Sequence, residues 1–193
     1  MGDPSRHNAI LDIARRLFVH YGLQKTTIAD VAREAGVGVG TVYLEFPSKD
    51  ALVEELSRRQ YEGILNAMRQ ALRAPGLSAS ERLERALNAR TQSFLELNSA
   101  ATHACDLLHC GLGAVRQAHD VYRAEEHGLV RNIVEEGKTS GEFTVEDPGE
   151  AARLVLLAYL SFGPPMVFKA DPERAKTDLA MMHGLVLRGL LRR

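Results

Sequence analysis

The chain has 193 residues, 45% hydrophobic and 25% charged, with a net charge of −1. That is an ordinary globular balance, with room for one or two small domains and a real core. Two cysteines, Cys105 and Cys110, exclude a disulfide framework and fit a reducing compartment, so a cytoplasmic location is expected.

No targeting segment or membrane span is expected. The start, MGDPSRHN, is polar, and the longest apolar run is broken by Gly163-Pro164-Pro165 and too short to cross a bilayer. Charge is neutral as a guide to nucleic acid. The first 60 residues carry eight Lys/Arg and eight Asp/Glu, so a DNA-binding face requires the basic residues to be sorted to one side.

Residues 4–21 read as a first helix, with Ile10, Ala14, Leu17, Phe18 and Tyr21 forming one apolar stripe closed by Gly22. Phe18 and Tyr21 are expected in the core. Thr27 is a good N-cap for a short helix whose apolar face is Ile28, Val31, Ala32 and Ala35. Gly36 follows where the chain leaves the helix with positive φ. Val37 plugs the angle, and a second short helix, about 38–45, turns Val42 and Phe46 inward. Two helices around a glycine turn make a helix-turn-helix, which places its second helix in the DNA major groove. Pro47 stops that helix and Ser48 caps the next, in which Leu52, Leu56, Leu65, Met68 and Leu72 carry a long apolar stripe to about Ala74.

A larger helical region follows. Ser78-x-x-Glu81 is a capping box before Leu83, Leu87, Phe94 and Leu95, and Asn98-Ser99 is expected to break that helix. A short helix is expected over 100–110, a break at 111–113 and a long helix over 115–136, closed by Gly137 to Gly141. Asp147-Pro148 and Asp171-Pro172 each put a capping Asp before a first-turn proline, opening the last two helices, 151–162 and 174–191. Nothing in the sequence competes as a strand or a repeat, so the fold class is all-α. The expected domains are a three-helix helix-turn-helix domain over 1–50 and a larger helical domain over 51–193.

The stretch from Thr27 to Leu52 carries a resemblance. Thr27, Val31, Ala32, Ala35, Gly36, Val37, Gly40, Thr41, Val42, Tyr43, Phe46, Ser48, Lys49, Asp50 and Leu52 resemble, at fixed spacing, the DNA-binding signature of the tetracycline-repressor (TetR) family. The remainder is similar to that family in length and helical pattern. The resemblance implies a dimeric, ligand-responsive transcriptional regulator, most often a repressor, whose partners are double-stranded operator DNA, a small-molecule effector and a second copy of itself. It implies phosphate contacts from Thr27, Tyr43 and Lys49, and a groove-facing surface of Gly38, Val39, Gly40 and Thr41. The family typically has a second aromatic after the tyrosine; here Leu44 stands there, followed by Glu45.

The resemblance also implies an effector cavity in the second domain. Its candidate lining is Met68, Phe94, His103, Leu107, His109, Cys110, Tyr122, Tyr159 and Phe162, apolar with a few polar groups, which suits an apolar or aromatic ligand. The last two helices carry more apolar surface than their own domain needs. Leu154, Leu157, Ser161, Met182, Leu185 and Val186 are therefore candidates for a self-complementary four-helix dimer interface.

Other chemistry is thinner. Cys105/His109 and Asp106/Cys110 are i,i+4 pairs that can share a metal if that stretch is helical, which makes a metal- or thiol-responsive regulator the alternative. The two thiols would point about 140° apart on one helix, so they do not bridge readily. No CxxC or HExxH is present and no catalytic constellation can be assembled, so no metal, cofactor or enzymatic activity is expected. The glycines at 36, 38 and 40 follow a helix rather than a strand, which argues against a nucleotide loop. A ligand-binding or interaction module without DNA binding is the remaining alternative that the balanced charge permits.

Overall fold

The computed structural model describes residues 4–100, 103–108 and 112–191. Among these the fold is all-α, eight helices with no strand: α1 (Pro4–Tyr21), α2 (Ile28–Glu34), α3 (Val39–Glu45), α4 (Lys49–Ala71), α5 (Ala79–Ala100), α6 (Gly113–Thr139), α7 (Pro148–Ala158) and α8 (Pro172–Leu190). Short 3-10 turns lie at Ala104–Leu107, Leu160–Phe162 and Val167–Lys169. The described residues fall into two compact units, Met1–Tyr61 with Leu97–Asp120 and Glu62–Glu96 with Val121–Arg193. The chain passes from one unit to the other inside α4, α5 and α6. Position 50 lies within α4, which is continuous across it.

In the first unit, α2 and α3 form a helix-turn-helix on α1. The Thr27 hydroxyl accepts from the Asp30 amide at 3.2 Å while the Asp30 carboxylate accepts from the Thr27 amide at 2.9 Å. This reciprocal box satisfies two amides that the helix start leaves open. Thr27 and Arg33 hold the Asp30 carboxyl down at about 2. At the other end of α2 the Val37 amide donates to Ala32 O and the Gly36 amide to Arg33 O, the paired bonds of a Schellman stop with Gly36 at φ +66°. A Cβ at Gly36 meets nothing, so the requirement for glycine is conformational. Gly36→Ala is therefore expected to cost about 1–2 kcal/mol. A lower urea midpoint with an unchanged denaturant slope checks it.

The core of this unit joins Ile10, Leu11, Ala14 and Phe18 of α1 to Val31, Ala32, Val42, Phe46, Leu52 and Val53. Leu107 and Val115, distant in sequence, complete it. Ser48 caps α4 by accepting from the Ala51 amide at 3.0 Å. Tyr21 departs from expectation: it is exposed, with its ring edge-on to His20. The chain turns at Gly22, and Leu23 takes the inward place instead.

α5, which starts in the second unit, runs through Asn98 and Ser99 in the first rather than breaking there. Such residues cost a helix interior only a few tenths of a kcal/mol each, which packing of the remaining turns overrides. The start of α5 carries the expected Ser78–Glu81 box and a further cap from afar, since Glu142 accepts from the Ala79 and Ser80 amides at 2.8 and 3.0 Å. α6 continues past Gly137, where a Cβ would lie 2.2 Å from the Phe143 ring, so glycine there makes room for a buried aromatic. α7 starts at Pro148 and ends at Ala158, with Leu160–Phe162 as a 3-10 turn rather than a continuation of the helix.

Candidate nucleic-acid interface

The outward face of the helix-turn-helix is α3. Val42 is fully buried and fixes the helix to the core, while Gly38, Val39, Gly40, Tyr43 and Leu44 are exposed and Thr41 is half-buried. The seven-residue helix bears one charged side chain, Glu45, and it is withdrawn. Its buried carboxylate accepts from Arg6 Nε at 2.9 Å and lies 3.3 Å from His7 Nδ1, both on α1. The Arg6 hydrogen bond, with His7, holds the Glu45 carboxyl below its ordinary value. An acidic residue at the end of this exposed helix is thereby paired and turned back into the protein, which answers the balanced head charge at this point.

The three candidate phosphate contacts differ. Tyr43 is exposed along the face. The Thr27 hydroxyl is engaged with Asp30, donating to its carboxylate at 2.7 Å, and remains at the surface. The Lys49 ammonium donates to Leu23 O and lies 5.9 Å above the Phe18 ring. With three donors, an ammonium bound to one carbonyl keeps protons for a phosphate. Lys49→Ala is therefore expected to lower specific and non-specific DNA affinity alike and to reduce the salt slope by roughly 1 per subunit, about 2 for a dimer. It should also lower the melting temperature. Titrations at several salt concentrations, read beside thermal melts, separate the two losses.

The effector candidates divide between the units. His103 and Leu107 belong to the first. The His103 amide donates to Val19 O at 3.2 Å, and its imidazole lies 3.3 Å from where a Cβ on Gly22 would stand. Leu107 is fully buried in the helix-turn-helix core, and Tyr61 donates to Leu108 O at 2.5 Å. His109 and Cys110 lie outside the described residues.

The other five, Met68, Phe94, Tyr122, Tyr159 and Phe162, are buried in the second unit. Among them sits a charged pair that sequence reading missed, a buried ion pair between Arg90 and Glu126. Tyr122 donates to Glu126 at 2.6 Å, and Arg90 reaches the carbonyls of Phe162 and Tyr159 at 3.4 and 3.5 Å. The guanidinium also lies 5.2 Å from the Phe94 ring centroid. Burial pushes the Tyr122 phenol well up. Beside this cluster the Tyr159 hydroxyl meets His183 Nδ1 at 2.6 Å and His183 Nε2 meets Asn88 Oδ1 at 3.0 Å. Burial pushes the imidazole down, toward the neutral form that such a chain needs.

Two clefts open on the second unit. One, of about 460 Å³, is rimmed by Arg69, Arg82, Glu125 and Glu136. The other, of about 410 Å³, lies between α5 and α8 at Asn88, Thr91, Leu95 and Leu179. The five aromatic and sulfur candidates line neither. Of the dimer candidates, Leu154, Leu157 and Ser161 are exposed at α7 and the turn after it, Leu185 is exposed on α8, and Met182 and Val186 are half-buried.

The described part of the cysteine stretch is a 3-10 turn at Ala104–Leu107 rather than an α-helix, and the other members of both candidate pairs, His109 and Cys110, lie outside the described residues. No cluster of three metal-ligating side chains occurs among the described residues. Burial and the Asp106 carboxylate push the Cys105 thiol up, away from a reactive thiolate. Among the described residues no helix is long and apolar enough to cross a membrane.

Comparison with known proteins matches two family models: "Bacterial regulatory proteins, tetR family" over residues 10–56, and "Tetracyclin repressor-like, C-terminal domain" over residues 79–180. The chain is 36% identical over 83 residues to the HTH-type transcriptional repressor KstR2 of Rhodococcus jostii, a match spanning 43% of this chain and 40% of that one. It is 26% identical over 190 residues to the uncharacterized HTH-type transcriptional regulator YhgD of Bacillus subtilis, covering 94% and 92% of the two chains. A TetR/AcrR-family transcriptional regulator of Thermobifida fusca shares the fold with a TM-score of 0.73 at 23% identity, over 98% of this chain and all of that one.

Proposed function

Because the chain belongs to the tetR family of bacterial regulatory proteins, we propose that this helix-turn-helix transcriptional regulator is a homodimeric repressor that leaves its operator when a small apolar ligand occupies the second unit. The observation that carries the reading is the α3 face. It is exposed along Gly38–Leu44, fixed from behind by Val42, and cleared of negative charge by the Arg6 and His7 contacts to Glu45. Thr27, Tyr43 and Lys49 flank it as phosphate contacts, which set register while α3 meets the base edges. The protein acts in the cytoplasm, where its DNA is.

The effector region we assign is the aromatic core around Arg90 and Glu126, where Met68, Phe94, Tyr122, Tyr159 and Phe162 are buried and line neither cleft, so a ligand enters by opening that core. An apolar wall with a few convergent polar groups is what small-molecule sites use. Coupling runs through the chain itself. α5 and α6 each extend from the second unit into the first, and the 103–108 segment between them is locked there through His103, Leu107 and Leu108. A ligand that favours one placement of these helices shifts the population of DNA-competent dimer by its differential affinity for the two states.

A screen of small molecules by thermal melting tests the ligand assignment, since a binder of the native state raises the melting temperature. Apolar or aromatic compounds that both stabilise the protein and release it from DNA are expected. Stabilisation by highly charged metabolites alone would overturn it.

A further inference from the structure

We propose that this protein recognises its operator largely through thymine methyl groups, held by Leu44 and Val39. The proposal rests on the DNA-reading assignment and concerns what α3 reads. Leu44 is 85% exposed, the most exposed large hydrophobic side chain among the described residues, and Val39 is 42% exposed.

The polar alternatives on the helix are few. Bidentate reading of guanine or adenine needs Arg, Lys, Asn or Gln, and α3, VGTVYLE, has none of these. Glu45, which could accept from cytosine, is bound to Arg6 and His7. The hydroxyls of Thr41 and Tyr43 remain, one of them half-buried. The thymine C5-methyl is the apolar group that the major groove presents, and it pairs with apolar side chains.

The surface beside Leu44 is open. Gly40 lies one turn earlier on the same face, and a Cβ built there meets nothing within 4 Å. Side chains on a helix lean toward its N-terminus, so Leu44 leans toward the gap that Gly40 leaves. Gly40 therefore puts no side chain in the way of a thymine methyl that approaches Leu44. Burying one methyl is worth about fourfold in affinity.

The test uses the duplex most enriched by the full-length protein from a randomised library. It is resynthesised with each thymine replaced in turn by deoxyuracil, which removes the methyl and keeps every hydrogen-bonding group. At one or two positions of each half-site, each uracil should weaken binding about fourfold, on the scale of one buried methyl. Leu44→Ala, exposed and so without consequence for folding, should abolish the distinction at one of those positions. If the fully uracil-substituted duplex binds as tightly as its thymine parent, the methyl proposal is wrong while the DNA-reading assignment stands. If no duplex is enriched, the assignment itself fails and takes the proposal with it.

Discussion

Leu157→Glu combined with Leu185→Glu is expected to yield a folded monomer with operator affinity lowered about 100- to 10,000-fold, the range by which linking two weak sites exceeds either alone. Leu157 is 49% exposed and Leu185 63%. Neither is needed to build its own unit, whose side of α7 and α8 is supplied by Ala152, Val155, Leu156, Ala175 and Leu179. Glutamate at these positions is harmless in a monomer and prohibitive in a self-complementary interface, where each change meets its own copy. Light scattering and DNA titration on the same sample check both parts. A dimer that persists in the double variant would move the interface elsewhere.

Arg90→Ala is expected to destabilise the second unit by about 3–5 kcal/mol, the cost of leaving a buried charge without its partner. Glu126 is as buried as Arg90, and its remaining partner is the Tyr122 hydroxyl. The carbonyls at 159 and 162 also lose a donor. Replacing both charges, Arg90→Met with Glu126→Leu, should recover most of the loss, since a well-packed apolar pair of similar volume often equals a buried ion pair. The recovered variant is informative about function. If the pair orients the effector, the double variant melts near the parent temperature yet no longer releases DNA in its presence.

The sequence was most readable where the determinants are local. The Thr27 cap, the Gly36 stop, the inward Val42 and Phe46, the Ser48 cap and the Ser78–Glu81 box each lie within a few residues of what they govern, and each appears in the structure. What escaped was settled between distant segments. Glu142 caps a helix that begins 63 residues earlier. Leu107 leaves the effector candidates for the helix-turn-helix core, and His103 meets Gly22 across 81 positions of sequence. Periodicity places Leu107 on an apolar face without saying which unit that face joins.

The Arg90–Glu126 pair was within reach. Leu83, Leu87 and Phe94 share a stripe at helical spacing, and Arg90 falls in the same row. Glu126 stands likewise between Tyr122 and Val130. One charge on the apolar face of each of two helices is a signal for a buried pair. Tyr21 shows the reverse error, a residue in the stripe that falls one turn beyond the core it was expected to join.

The most direct measurement is the capture of genomic DNA fragments by the full-length protein at physiological salt, followed by footprinting of the tightest fragment. The account predicts one protected segment with two half-sites related by a dyad, its affinity falling steeply with salt. It predicts loss of protection when the exposed α3 face is changed by Leu44→Glu, with the fold intact. Fragments bound no more tightly than random DNA, or a footprint indifferent to Leu44→Glu, would contradict it.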